Sequence, residues 1–141
     1  MSYTERFTEV HELLGRLAPL TYNGGVSTDW MAVNDYHRVV VIVSAGTLTG
    51  TLDAAVFQAT NLAGGSAKIV TGKAITQLAA TDDEAISVIE LRTEELDVDS
   101  GFDCIRVQTT SSAVNVFEVL VFGIVGRYNP VGTTEYDEVV D

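Results

Sequence analysis

Val39-Val40-Val41-Ile42-Val43, within residues 37–44, is the stretch of this 141-residue chain that decides its fold. β-Branched residues such as valine and isoleucine favour a pleated strand over a helix. Because no polar residue alternates with the apolar ones, the run predicts a strand that is buried on both faces. Ala45-Gly46 follows as a break. The middle of the chain is therefore expected to lie in a β core.

Strand patterns continue on both sides of this run. Residues 102–110 show the clearest alternation between two faces, and residues 115–125 are long and strongly apolar. Weaker strand patterns cover residues 30–33, 51–60, 68–78 and 86–92. Turn-forming residues separate these segments, including Asn23-Gly24-Gly25, Gly64-Gly65 and Asp99-Ser100-Gly101. Seven or eight short strands without intervening helices predict an all-β, antiparallel β-sandwich of jelly-roll type.

The two ends of the chain differ from this pattern. Apolar side chains at spacings of three and four recur over residues 3–17, which predicts a short amphipathic helix that Pro19 would end. An extended arm that packs on a neighbouring subunit is the alternative, because isolated helices of this length are marginal. The resulting division is an arm or helix over residues 1–19, a β-sandwich over 20–126 and an acidic C-terminal tail over 127–141.

Composition limits the classes of function. Eight Lys and Arg against 20 Asp and Glu give a formal net charge of −12, which disfavours direct binding to nucleic acid or to anionic membranes. A single cysteine, Cys104, allows no intrachain disulfide and fits a reducing compartment. The sequence contains no apolar run long enough for a transmembrane helix, and its first residues lack the apolar core of a signal peptide.

The sequence contains little that could carry chemistry. Two histidines far apart make a zinc site improbable. Asp97, Asp99 and Asp103 surround a glycine turn and are the one candidate for calcium, but the terminal acidic ligand of an EF-hand loop is missing. An acidic turn between two strands explains the same residues. We therefore predict no cofactor, no metal and no enzymatic activity.

Aromatic and apolar residues in the terminal segments are candidates for contacts with a partner, because such side chains anchor protein interfaces. Their alternative role is to fold back onto their own domain. The candidates are Tyr3, Phe7, Leu14, Arg127, Tyr128 and Tyr136.

Seven short segments, taken in chain order, resemble small virion proteins of tailed bacteriophages and prophages. The similarity covers residues 20–131 and leaves residues 1–17 outside. The segments are Asn23-Gly24-Gly25, Ser27-Thr28-Asp29-Trp30, Asn34-Asp35-Tyr36-His37-Arg38, Phe57-Gln58-Ala59-Thr60, Gly72-Lys73-Ala74-Ile75-Thr76-Gln77-Leu78, Glu95-Leu96-Asp97-Val98-Asp99-Ser100-Gly101-Phe102 and Gly126-Arg127-Tyr128-Asn129-Pro130.

This resemblance implies a β-rich, non-enzymatic capsid decoration or cement protein. Such a protein would be assembled in the host cytoplasm, bind the major capsid protein on the outer surface of the head and self-associate as a homotrimer or another symmetric homo-oligomer. A structural component of the tail or neck is one alternative. A carbohydrate- or calcium-binding module on the same fold is the other.

Overall fold

The computed structural model of the chain describes residues 6–126 and Glu138. Most of the predicted C-terminal tail therefore lies outside the described residues. Within these described residues, one short helix and seven strands make up the regular structure, with 3-10 turns at Thr93–Glu95 and Val98–Ser100. The elements are α1 (Phe7–Val10), β1 (His11–Ser27), β2 (Met31–Ala32), β3 (Tyr36–Leu48), β4 (Leu52–Ala59), β5 (Lys68–Ala74), β6 (Ile86–Arg92) and β7 (Cys104–Gly126).

β7 organises the fold because it pairs with four other strands. Along one edge it pairs antiparallel with β4 through its first half and with β3 through its second half. Along the other edge it pairs with β2 and with both halves of β1. β5 then adds to β4, and β6 adds to β3. The resulting strand order is β5-β4-β7-β3-β6, with β1 and β2 beside β7.

The long strands contribute to two layers. Sheet 1 contains the first half of β1, the second half of β7, β3 and β6, and sheet 2 contains the rest of β1, β2, the first half of β7, β4 and β5. Two layers joined by strands that pass from one to the other form a jelly roll. The predicted antiparallel, jelly-roll-like sandwich with a short N-terminal helix is confirmed.

The core lies between the two sheets and consists mainly of valine. Alternate residues of β3 enter it, so Val39, Val41 and Val43 are fully buried while Val40 and Ile42 face outward. Buried side chains of both sheets belong to one continuous cluster, which shows that the layers pack face to face. Members from sheet 2 include Leu52, Val56, Ile105 and Val107.

Asn115 fixes the corner at which β3 leads into β4. Its buried Oδ1 accepts hydrogen bonds from the backbone N–H groups of Thr49 at 2.9 Å and Gly50 at 3.1 Å. Its Nδ2 donates to the backbone oxygen of Thr51 at 3.0 Å. One amide therefore satisfies three backbone groups at the point where regular pairing stops.

The N-terminal region differs from the expected helix over residues 3–17. The helix covers only Phe7–Val10, and β1 follows as an edge strand that crosses the expected boundary at residue 19. A β-bulge between Leu13 and Gly15 explains the misleading pattern. An extra residue changes the alternation of a strand, so Leu14 and Leu17 both contact the core although they are three residues apart. This spacing imitates a helical face.

The predicted turn at Asn23-Gly24-Gly25 also belongs to β1. Gly24 has a φ of 81°, and the register with β7 shifts between Tyr22 and Gly24. Glycine adopts this left-handed conformation at little steric cost. The residues that predicted a turn therefore bend β1 at the point where it passes from sheet 1 to sheet 2.

Paired substitutions within β1 test its assignment as a strand. Leu17 is 8% exposed and contacts the core, whereas Leu20 is 58% exposed. We expect Leu17→Ala to lower the free energy of unfolding by about 3 kcal/mol through lost burial and the cavity left behind. Leu20→Ala should change it by less than about 0.5 kcal/mol. Urea denaturation measures both, and equal effects would contradict the strand.

A second pair of substitutions tests the corner. Asn115→Ala leaves backbone groups without partners in a buried position, and we expect a loss of about 2 kcal/mol in the free energy of unfolding. Asn61 is the matched control, since its Oδ1 also accepts from two backbone N–H groups, those of Ala63 and Gly65, but at an exposed site. Asn61→Ala should lose less than about 1 kcal/mol because water can replace the amide. An Asn115→Ala variant as stable as Asn61→Ala would show that the corner does not need its amide.

Candidate interaction surfaces

The outward-facing side of sheet 1, called the outer face below, is apolar. Val88 on β6, Ile42 on β3 and Leu120 on β7 lie in one row across the sheet, and Val40 lies beside Phe122 in the next row. Val88 is 54% exposed, and Ile86 at the start of β6 is 68% exposed. Contiguous exposed apolar side chains of this kind mark sites of interaction.

The same face explains the unbroken apolar run in β3. The sequence predicts burial on both sides of residues 39–43, and the structure buries only the side that carries Val39, Val41 and Val43. Val40 and Ile42 on the other side are half-buried. Sequence reasoning interpreted the run as core alone and missed the outer face. The signal was present in the sequence, because Val40 and Ile42 occupy positions at which a strand with one solvent-exposed face would carry polar residues.

Phe7 extends the outer face at its N-terminal side. Its ring stacks on His11 with centroids 4.3 Å apart and meets Phe122 edge-on at 5.7 Å. Leu14, by contrast, packs against the core. The structure therefore does not bring these two candidate contact residues to one surface. The other candidates, Tyr3, Arg127, Tyr128 and Tyr136, lie outside the described residues.

A groove with basic side chains, called the basic groove below, adjoins the outer face near its β7 C-terminal end. It encloses about 450 Å³. Arg38 on β3 and Arg92 on β6 are directly opposite each other in register. Lys73 reaches the groove from β5. Three of the chain's eight basic residues thus meet at one place in an acidic protein. The remaining lining residues are Val39, Val40, Glu90, Leu91, Glu95 and Ile124.

Lys73 also joins the edges of the two sheets. Its Nζ donates to the backbone oxygen of Glu90 on β6 at 2.9 Å and lies 3.2 Å from Oε1 of Glu95. The pKa of Glu95 is lowered, chiefly because its carboxylate accepts a hydrogen bond from the backbone N–H of Arg92, with a further contribution from Lys73. The carboxylate therefore stays ionised and keeps the lysine between the sheets.

The outward-facing side of sheet 2 is more polar. Gln77 Nε2 donates to Asp53 at 2.8 Å, and the Arg106 guanidinium lies 4.7 Å from the Trp30 ring centre. A shallow depression of about 290 Å³ includes Phe57 and Gln108. Since polar groups interrupt this side, the larger exposed apolar row belongs to sheet 1.

The three calcium candidates have separate environments. The Asp97 carboxylate lies 2.6 Å from Nζ of Lys68 at the start of β5, and its pKa is lowered mainly by the hydrogen bond from that lysine. Asp103 accepts a hydrogen bond from the Cys104 thiol at 3.3 Å. Asp99 lies in the exposed 3-10 turn between them. Within residues 6–126, no three acidic, histidine or cysteine side chains are grouped so as to hold a metal ion.

Cys104 is a core residue, as its place in a strand predicts. Its side chain is buried, and burial together with the neighbouring Asp103 raises the pKa of the thiol to about 11. A thiol with such a pKa is protonated near neutrality, and the thiolate is the nucleophilic form.

None of the helices described is long and apolar enough to cross a membrane.

Comparison with known proteins identifies no matching family and no curated relative. Solved structures do show similar arrangements of strands. A chain of the naturally occurring empty particles of cowpea mosaic virus aligns with a TM-score of 0.44 and 10% identity over 90% of this chain and 91% of its own. A chain of broad bean stain virus aligns with a TM-score of 0.43 and 13% identity over 100% and 98%.

A non-viral protein has the same degree of similarity. The CBM22-1–GH10 modules of Clostridium thermocellum xylanase 10B, in complex with xylohexaose, align with a TM-score of 0.45 and 10% identity over 89% of this chain and 30% of theirs. These similarities concern the arrangement of strands, and no conclusion about function rests on them.

The buried thiol generates a prediction about reactivity and pH. Native protein should not react with iodoacetamide at about pH 8, whereas unfolded protein should react fully. Because the folded pKa of about 11 lies above the ordinary 9.0, the stabilising contribution of the neutral thiol is complete below pH 9.0 and is lost as the pH rises towards 11.

Chemical denaturation at a series of pH values over this alkaline range measures the loss in the free energy of unfolding. In the Cys104→Ala variant, the free energy of unfolding should fall less steeply with pH. Rapid alkylation of the native protein would contradict the assignment.

Proposed function

We propose that this protein is a structural component of a virion, specifically a decoration or cement protein on the outer surface of a bacteriophage head. In this role it binds the major capsid protein and stabilises the shell without catalysing a reaction. The resemblance of residues 20–131 to small virion proteins of tailed phages supports the biological setting. The physical support for an adhesive role comes from the outer face.

The outer face is the single observation that carries the proposal. Ile86 and Val88 are exposed beside half-buried Ile42, Val40 and Leu120 on a preformed hydrogen-bonded sheet. Apolar surface of this kind gains free energy when a partner removes it from water. A preformed sheet loses little conformational entropy on binding, so more of that free energy is retained as affinity.

Charge supports a location on the outside of the shell. A net charge of −12 repels packaged nucleic acid and keeps the free protein soluble in the host cytoplasm before assembly. Many copies on one shell would add avidity, so each contact can be weak on its own.

Self-association around a symmetry axis is part of the proposal, with a homotrimer as the expected form. Contacts between neighbouring copies on the shell would then strengthen each contact with the capsid protein. The terminal candidates Tyr3, Arg127, Tyr128 and Tyr136 are proposed to take part in these contacts, together with Phe7.

A matched pair of valine substitutions tests the role of the outer face. Val88 and Val114 lie in strands and are 54% and 49% exposed, but Val114 lies at the corner between the sheets. Val88→Glu places a carboxylate in the proposed interface, where its burial without a partner is unfavourable. We expect at least about tenfold weaker binding to heads that lack this protein, and Val114→Glu should bind like the wild type.

Copies per particle, measured on purified particles by quantitative mass spectrometry, provide the readout. Full occupancy by Val88→Glu would contradict the use of the outer face. If wild-type particles carried about a dozen copies or fewer, rather than hundreds, the protein would be assigned to the tail or neck and not to the head. Absence from purified particles would contradict the virion role itself.

A further inference from the structure

The shallow depression on the outward-facing side of sheet 2, called the sheet 2 depression below, is built by the register of three strands. Ala55 on β4 pairs with Gln108 on β7 and with Ala74 on β5, so two alanines lie in its middle row. Their small side chains leave a volume of about 290 Å³ open. This is close to the lower limit of about 300 Å³ for sites that bind small molecules.

The sheet 2 depression has one apolar wall and one polar wall. Phe57 and Ile69, which pair across β4 and β5, form the apolar wall. Asp53 and Thr110, which pair across β4 and β7, form the polar wall. Because alternate residues of a strand share a face, Asp53 and Phe57 lie on either side of Ala55. A ligand that fits has an apolar surface and hydrogen-bonding groups at its edge.

Neighbouring side chains hold the polar groups of the depression in place. Gln77 Nε2 donates to Asp53 Oδ2 at 2.8 Å, and a guanidinium N–H of Arg106 donates to Gln108 Oε1 at 3.3 Å. Among residues 6–126, the second carboxylate oxygen of Asp53 and the Nε2 of Gln108 have no hydrogen-bond partner. One acceptor and one donor are therefore oriented beside the same depression and are unoccupied.

Arg106 is itself held by stacking. Its guanidinium lies 4.7 Å from the centre of the Trp30 ring. Trp30 in turn lies against Gly64, where a Cβ atom would come within 2.6 Å of the indole Nε1. The 60–66 loop thus supports Trp30, Trp30 supports Arg106, and Arg106 orients Gln108. Groups that are oriented before binding lose little conformational entropy when a ligand arrives.

A neutral saccharide has the chemistry that this arrangement recognises. A hydroxyl group both donates and accepts hydrogen bonds, so neighbouring sugar hydroxyls can donate to Asp53 and accept from Gln108. The C–H groups on the faces of a sugar ring form an apolar surface that packs against an aromatic side chain such as Phe57. Asp53 and the net charge of −12 disfavour phosphates and acidic sugars. A peptide anchors through side chains in well-packed pockets, which a shallow depression does not provide.

We propose that the sheet 2 depression binds a short neutral oligosaccharide, with Phe57 against a sugar face and with Asp53, Gln108 and Thr110 hydrogen-bonded to hydroxyl groups. The site and the outer face lie on opposite sides of the sandwich, so both can be occupied in the same molecule. The inference does not depend on the virion role. Because the contact with each saccharide is small, the binding strength increases when several saccharides are presented together.

An array of immobilised glycans tests the ligand class with the full chain. The neutral probes are oligosaccharides of glucose, galactose, mannose, xylose and N-acetylglucosamine, and the acidic probes are sialylated glycans and uronic-acid oligomers. We expect binding to at least one neutral class and at least about tenfold weaker binding to the acidic probes, because the carboxylates repel Asp53. Binding to no neutral probe overturns the proposal, as does binding that is confined to acidic probes.

Two substitutions of alanine locate the binding. Ala55→Phe fills the middle of the sheet 2 depression and retains its polar side chains, and we expect at least about tenfold weaker binding to the best neutral probe. Ala79→Phe adds the same ring at an exposed alanine outside the depression and should bind like the wild type. Gln108→Leu removes the donor at similar size and should weaken binding at least about fivefold. Wild-type binding by Ala55→Phe overturns the site.

A second measurement uses the wild-type chain alone. The best neutral probe, added in solution, should shift the backbone amide NMR signals of residues 54–57 and 107–110. Signals of residues 40–42 on sheet 1 serve as the internal control. Shifts that leave residues 54–57 and 107–110 unchanged would overturn the placement even if Ala55→Phe fails to fold.

Discussion

The fold depends on one shared strand. β7 spans 23 residues and contributes to both layers of the sandwich, so neither sheet can form without fixing part of the other. Asn115 holds the corner at which its neighbours β3 and β4 change layers. Most pairings join residues far apart in the chain, such as Ser27 with Gln108. Long-range antiparallel pairing of this kind closes large loops and folds slowly, and a single cooperative unit is the expected result.

The same strands explain why the outward-facing side of sheet 1 is apolar. A strand has two faces, and β3 and β7 carry apolar residues on both. One face fills the core with fully buried valines, and the other presents Val40, Ile42 and Leu120 on the outside of sheet 1. Burial of the first face stabilises the monomer. The second face remains partly exposed, and its burial can stabilise only an assembly with another molecule.

Much of the architecture could be predicted from the sequence. Patterns with a period of two or continuous apolar runs located β3, β4 and β6, because strand geometry places their residues on defined faces. They also located both halves of β7, but as two separate strands over residues 102–110 and 115–125, whereas the structure has one strand. β1 could not be predicted, because its bulge places Leu14 and Leu17 on one face at a helical spacing. The break expected at residues 23–25 is a bend within β1.

The interaction surfaces were harder to predict than the strands. Arg38 and Arg92 are 54 positions apart, and only the register of β3 with β6 makes them neighbours. Lys73 joins them from a strand of the other sheet. Composition shows that basic residues are rare in this chain. It does not show that three of them converge, since convergence depends on pairing between distant segments.

The edges of the sheets support association through a face. An unpaired edge strand can recruit another strand, and proteins limit this with prolines, bulges and charged side chains. β1 has three register shifts and contains Pro19, which lacks a backbone N–H. At β6, Lys73 occupies the backbone oxygen of Glu90. Because both edges of sheet 1 are obstructed, strand addition is disfavoured there. The outer face is then the part of this sheet best suited to contact another molecule.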